Sequence, residues 1–266
     1  MYKAVFIDLD GTLLRNDHSI SEATRDTIQQ LIKKNILVVL VSARPLHGIT
    51  PISEWLGIQS SPLASLNGAY ISMDDKMIYQ SCHDLQTNVE VHQRTKALDV
   101  TLIYYNGLKW YAEISNAAIA KEQRITDVNI TIAPFKSLMQ EWEQNKSCSN
   151  KMMAIGNEIT INELENKLLS IYKDNLNIYT SKPTYLEIMR KDASKTNALV
   201  ILLKKFNISR EQAIAIGDNY NDRDMIIYAG KGIAMGNAPE PIKSIADYVT
   251  ETNENDGVRK AIELFL

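Results

Sequence analysis

Cysteine is scarce in this 266-residue chain, and the two present, Cys82 and Cys148, have no metal-ligand spacing. No Cys/His set of zinc type exists, and the two thiols are expected to stay separate and reduced. An excess of either charge is also lacking: 29 basic residues against 32 acidic ones leave a net charge of −3, and no run of Lys or Arg forms a stripe. That balance argues against a nucleic-acid partner or a membrane surface. Long apolar runs are missing too. The longest strand-like one, Ile36 to Val41, is far too short to span a bilayer. The first strand begins by residue 4, which leaves no room for the charged and apolar regions of a leader, so a cytoplasmic location is expected. What remains is the composition of an ordinary globular protein, 45% apolar and 23% charged, with length for one large domain or two modest ones.

The chain is organised around Ala4-Val5-Phe6-Ile7-Asp8-Leu9-Asp10-Gly11-Thr12-Leu13. Its continuous apolar run reads as a strand buried on both faces of a parallel sheet. Asp8 and Asp10 follow at the carboxyl end of that strand, where open α/β sheets bind their ligands. Alternation allows both carboxylates to point the same way, and Gly11 lets the backbone turn. Alone, this stretch reads equally well as a turn whose Asp side chains bond their own backbone.

Further strands end in the same manner. A helix is predicted over Ser21 to Lys34, then a strand over Ile36 to Val41 that closes in Ser42-Ala43-Arg44-Pro45. Pro45 suits a helix start, which would put Ser42 and nearby amides at a helix N-terminus. A third short strand ends at Asn67-Gly68, a turn dipeptide, and a hairpin follows over 69–80. Near Ser194 the pattern resumes with a capped helix carrying Lys195 in its first turn. A cation there opposes the helix dipole unless an anion meets it. Ala213 to Ile216 then leads into Gly217-Asp218-Asn219-Tyr220-Asn221-Asp222, which holds more acidic and amide groups than a turn needs.

Between these two stretches the grammar changes. Amphipathic helices at about 84–98, 116–127 and 134–145, and another opened by Thr160 as a cap, alternate with half-polar strands. They predict a small α+β layer with one solvated sheet face, its aromatics Tyr104, Tyr105, Trp110 and Tyr111 packing inside. The fold class expected is therefore α/β: a doubly wound, mostly parallel core of residues 1–82 plus 188–266, with an α+β domain inserted over 83–187.

In combination the motifs resemble those of the haloacid dehalogenase (HAD) superfamily of phosphatases, and specifically its Cof-type subgroup. The D-x-D-G-T signature is Asp8-Leu9-Asp10-Gly11-Thr12, the second motif Val41-Ser42-Ala43-Arg44, the motif lysine Lys195, and G-D-x-x-N-D is Gly217 to Asp222. Asn67-Gly68-Ala69 and Met235-Gly236-Asn237-Ala238 are similar to landmarks of the subgroup. Two positions depart from the pattern: Ala43 replaces a common Gly, and Thr196 follows the lysine where Gly is common. The resemblance implies a Mg²⁺-dependent phosphatase acting on small phosphorylated metabolites through an aspartyl-phosphate. Asp8 would be the nucleophile and Asp10 the general acid and base. Mg²⁺ would be held by Asp8, the Asp10 carbonyl and Asp218, with Asp222 in support. Phosphate would meet the Leu9 and Ala43 amides, Ser42, Lys195 and Asn221. Arg44 and His47 are expected to be structural. A sugar phosphomutase of the same superfamily, or an idle scaffold that only binds, are the alternatives. Retention of Asp8, Asp10, Lys195 and Asp218 argues against the second.

Overall fold

The opening run forms β1 (Ala4–Asp8), buried at all five residues. It is followed by α1 (Glu22–Lys33), β2 (Leu37–Val41), α2 (Thr50–Leu56), β3 (Leu63–Ser65), β4 (Tyr70–Met73) and β5 (Lys76–Gln80). The middle of the chain adds α3 (Leu85–Thr95), β6 (Val100–Asn106), β7 (Lys109–Ala112), α4 (Ala117–Thr126), β8 (Ile130–Ile132), α5 (Phe135–Asn145), β9 (Lys151–Gly156), α6 (Glu158–Tyr172), β10 (Leu176–Lys182) and β11 (Tyr185–Arg190). The last part holds α7 (Lys195–Lys205), β12 (Ala213–Gly217), α8 (Arg223–Tyr228), β13 (Lys231–Ala234), α9 (Glu240–Lys243), β14 (Tyr248–Val249) and α10 (Gly257–Phe265). This computed structural model describes residues 1–266 and divides into two compact units, Met1–Tyr79 with Ser194–Leu266, and Gln80–Ala193. No helix is long and apolar enough to cross a membrane.

The first unit is a sheet in the order β14-β13-β12-β1-β2-β3-β4-β5. From β14 to β3 every pairing is parallel, and β4 turns antiparallel on β3. Alternation along β1 sends Val5 and Ile7 to one face, against Ile28 and Leu31 of α1 and Ala261 and Ile262 of α10. It sends Ala4 and Phe6 to the other, against Ala198, Leu199 and Leu202 of α7. A sheet covered on both faces needs strands with no polar side, which is why its strands read as unbroken apolar runs. The chain leaves β1 for β2 and β3 on one side and comes back to β12 and β13 on the other. The strand order therefore reverses beside β1, the position at which such sheets open a crevice.

The helix expected at Pro45 is displaced. Pro45 is extended, a 3-10 turn covers Leu46–Gly48, and α2 starts only at Thr50. The amides of Leu66 and Asn67 bond the carbonyls of Arg44 and Ser42 at 2.9 and 2.8 Å, which commits that loop to an extended path before a helix can begin. Ser42 is thus not at a helix N-terminus.

The second unit is a sheet in the order β10-β11-β9-β6-β7-β8, antiparallel except where β8 joins β7. Helices α3, α5 and α6 bury Val91, Leu138, Trp142, Ile161 and Leu164 on one sheet face, with Tyr104 and Tyr111 packed edge-on to Trp142. The other face is not the solvated one expected. Tyr105, Trp110 and Lys151 are buried there, and the Lys151 ammonium is 2.8 Å from Glu187. A polarity pattern reads such a lysine as exposed because it does not register the partner that neutralises it. Helix α6 also starts earlier than expected: Asn157, not Thr160, caps it, accepting the Thr160 amide at 3.0 Å.

The cysteines correct a further expectation. Cys82 and Cys148 form a disulfide, their Cα atoms 5.6 Å apart. The His83 amide donates to the Ser149 carbonyl at 2.9 Å and Asn150 Nδ2 to the Ser81 carbonyl at 3.0 Å, which brings the two residues side by side. Their separation of 66 residues gives spacing no means of signalling the pair.

Candidate active site

Asp8 closes β1 on the face that carries α7, in line with Phe6. Ser194 caps α7, its hydroxyl accepting the Asn197 amide at 3.1 Å, so Lys195 stands at the first helical position. The Lys195 side chain is 1% exposed, with Nζ 2.5 Å from Asp8 Oδ1 and 2.6 Å from Asp222 Oδ1. An ammonium in a helix's first turn opposes the dipole, and here the opposing anions are the protein's own. Burial works to lower the lysine's pKa, but Asp8 and Asp222 more than reverse this and hold it above the usual range.

The loop after β12 is folded back by Asp222, which is fully buried. Its Oδ2 accepts the amides of Asp218 and Asn219, each at 3.0 Å. Asp218 is held from the other side by the Thr12 hydroxyl at 3.0 Å. Between them Gly11 turns at φ +83°, and a Cβ there would lie 2.4 Å from Asp218 Oδ2. No side chain fits at position 11 without moving that carboxylate.

Asp8, Asp218 and Asp222 each bring a carboxylate oxygen within 4.8 Å of the others. Fully ionised, three carboxylates against one ammonium would place a double negative charge in a largely buried site. Burial first, then repulsion from Asp222, raises the pKa of both Asp8 and Asp218. Hard oxygen donors carrying this charge fit a divalent cation.

Asp10 stands apart. Its carboxylate is half exposed and is gripped by Arg44 through Nε at 2.8 Å and a second nitrogen at 2.5 Å. Strand geometry ends at Asp8, so alternation no longer governs Asp10, and the two carboxylates meet different partners, Lys195 for Asp8 and Arg44 for Asp10. Its expected part in metal binding was the main-chain carbonyl, which is independent of this. Ser42 is buried beyond β2, its hydroxyl accepting the Arg44 amide at 3.1 Å, and Ala43 beside it is exposed. Leu9 is buried, while Asn221 is exposed and donates to Asn67 Oδ1 at 3.3 Å. Side chains thus join Asp8, Lys195, Asp218 and Asp222 directly, while Ser42, Ala43 and Asn221 lie on the loops leaving β2 and β12. Sequence reasoning gave no role to Thr12, Asn67 or Asn237, whose amide donates to the Gly11 carbonyl at 2.8 Å. All three lie inside the motifs that carry the resemblance, which is the signal that marks them.

A family model described as haloacid dehalogenase-like hydrolase matches residues 5–262. The chain belongs to that family. The 5-amino-6-(5-phospho-D-ribitylamino)uracil phosphatase YcsE of Bacillus subtilis is 31% identical, over 98% of this chain and 94% of its own length. The phosphatase YwpJ of the same organism is 30% identical over 96% and 97%. Among solved structures, a haloacid dehalogenase-like hydrolase from Bacteroides thetaiotaomicron superposes with a TM-score of 0.87 at 31% identity, covering all of both chains. A Thermotoga maritima protein does so at 0.89 and 30%, over all of this chain and 98% of the other. Family, fold and the buried carboxylate group make this chain a HAD-type phosphohydrolase of the Cof subgroup.

Proposed function

We propose that this HAD hydrolase cleaves small phosphorylated metabolites, sugar phosphates or similar, through an aspartyl-phosphate on Asp8. The observation that carries the reading is the placement of Asp8: buried, at the end of the central strand, bonded to Lys195 and grouped with Asp218 and Asp222. An ionised carboxylate suits the nucleophile's task because it forms an acyl phosphate that water can cleave, and a divalent cation at Asp8 would favour that ionised form against the burial that raises its pKa. Asp8, Asp218 and the Asp10 carbonyl would hold Mg²⁺, with Asp222 in support. Mg²⁺ supplies charge that offsets the repulsion between anionic nucleophile and anionic substrate.

In the first half-reaction an Asp8 oxygen attacks phosphorus, and the new O–P bond forms as the ester O–P bond breaks. The departing oxygen takes the proton carried by Asp10. In the second, Asp10 removes a proton from water, whose oxygen attacks the same phosphorus and releases Asp8 and inorganic phosphate. For this work Asp10 must exchange Arg44 for the substrate, and the half-exposed carboxylate is open to that exchange. Lys195, Ser42, Asn221 and the amides of Leu9 and Ala43 are assigned to the phosphoryl oxygens, where fixed donors act most strongly as charge builds. The inserted unit, Gln80–Ala193, a few residues wider at each end than the 83–187 expected, with β11 running on to Arg190, is assigned to substrate choice, and Met1–Tyr79 with Ser194–Leu266 is the catalytic core.

Hydrolysis of p-nitrophenyl phosphate tests the metal and the site together. Turnover is expected to vanish with chelator and to return with Mg²⁺. Equal rates in metal-free enzyme would remove Asp218 from its role.

A further inference from the structure

Leu66, Asn67 and Gly68 follow β3 with φ of 51°, 53° and 84°, three successive residues in the left-handed region. Glycine and asparagine tolerate that conformation, but a leucine rarely adopts it. A backbone held this way needs surroundings that over-determine it. Here they are the loops of the site. The Leu66 and Asn67 amides bond the carbonyls of Arg44 and Ser42 at 2.9 and 2.8 Å, on either side of Ala43. Gly68 lies against the start of α7, where a Cβ would meet the Ser194 carbonyl at 2.5 Å and the Ala198 methyl at 2.9 Å. Asn67 Oδ1 accepts from the Asn221 amide at 3.3 Å. One buried turn therefore touches the loop of Ser42, the helix start of Lys195 and the loop of Asn221.

We infer that this turn is the template that spaces the phosphate-binding groups, with Asn67 as the positioning residue for Asn221. The inference rests on the reading of Ser42, Lys195 and Asn221 as phosphate ligands. The three groups come from β2, α7 and β12; Lys195 already meets the β12 loop through Asp222 at 2.6 Å, and the turn ties the Ser42 loop to both. Asn67 suits this place because it accepts φ near 53° and carries an acceptor that aims the Asn221 amide. It acts on phosphate through Asn221.

The test is inhibition by inorganic phosphate in the Mg²⁺-loaded enzyme. Asn67→Gly keeps the left-handed backbone and removes the acceptor. Its thermal midpoint is expected to stay near that of the parent, while the inhibition constant for phosphate rises about five- to tenfold, the scale of one hydrogen bond. Added to Asn221→Ala, the same change is expected to have less than about a twofold further effect, since a positioning residue has nothing left to position. Losses that multiply in the double variant, or an unchanged constant in Asn67→Gly, would overturn the inference while leaving the phosphate site intact. No effect of Asn221→Ala would overturn that site and the inference with it. A second readout is independent of turnover: the side-chain amide resonance of Asn221, assigned by its absence in Asn221→Ala. It is expected to shift in Asn67→Gly, which removes the acceptor, and to move downfield in Asn67→Asp, whose charged acceptor draws the amide hydrogen more strongly. A resonance that moves in neither variant counts against the contact.

Discussion

Two carboxylates two residues apart live in opposite environments. Asp8 is buried against an ammonium, while Asp10 is half exposed and forked by a guanidinium. The difference matches the roles assigned to them, a fixed nucleophile and a mobile proton carrier. Asp8→Asn is expected to eliminate both turnover and covalent labelling, because an amide oxygen is a poor nucleophile and a weaker metal ligand. Asp10→Asn is expected to slow turnover by about 10² to 10⁴, the usual cost of losing general acid–base help. With an aryl phosphate, whose leaving group needs little protonation, it is expected still to accumulate label on Asp8. Rapid quench followed by mass spectrometry of the peptide over residues 4–15 reads both outcomes. Label on Ser42, or continued turnover in Asp8→Asn, would discard the covalent route.

Among the elements, α7 and the segment 80–83 show how ends of secondary structure carry the constraints. Helix α7 tolerates a cation at its first position because Asp8 and Asp222 supply more negative charge than the dipole opposes. The segment 80–83 is tied down by side chains. His83 is buried, and its Nε2 lies 3.2 Å from the Ile188 carbonyl. Burial is the main cause that lowers its pKa from 6.5 to about 4. Above pH 6.5 the ring is neutral in the folded and unfolded chain alike and contributes no pH dependence. As pH falls from 6.5 towards 4, the unfolded chain binds a proton that the folded one refuses, so stability is lost on acidification. The loss reaches about 2 kcal/mol by pH 5. His83→Gln removes this contribution. Urea unfolding of the two proteins at pH 7.5 and pH 5 is expected to show the variant losing less stability between the two pH values. Equal losses would mean that the ring is not held neutral.

For the whole molecule, the disulfide is the one covalent link between distant parts of the chain, and it lies entirely within the unit Gln80–Ala193. Closing a loop of 66 residues restricts the unfolded chain. Reduction by a dithiol is expected to lower the stability of that unit by about 2–4 kcal/mol. Thermal unfolding with and without dithiothreitol measures it, and Cys82→Ser should reproduce the reduced value without reductant. An unchanged midpoint, or two free thiols by mass in protein purified without reductant, would contradict the pairing.

Most of the architecture was legible before folding because parallel strands covered on both faces must be continuously apolar, and each ended in a conspicuous polar set. Asp8, Ser42 and Asp218 to Asp222 stand out by that rule and the misplaced charge at Lys195 asks for an anionic partner, but only the resemblance of the combined motifs to a known family gives these residues roles. Local pattern failed wherever a distant segment decided the outcome. The loop after Ser42 stays extended because Leu66 and Asn67 bond its carbonyls. Lys151 is buried because Glu187 meets it from a neighbouring strand, and Asp10 turns outward to Arg44. Cys82 finds Cys148 only because the chain around Ser149 is laid beside His83. The sequence by itself determined which residues could do chemistry and on which strands they sit, since those follow from short-range polarity and spacing. Only the tertiary structure decided which charges neutralise one another and which loops hold them, since a hydrogen bond or ion pair between segments leaves no periodic trace in either one.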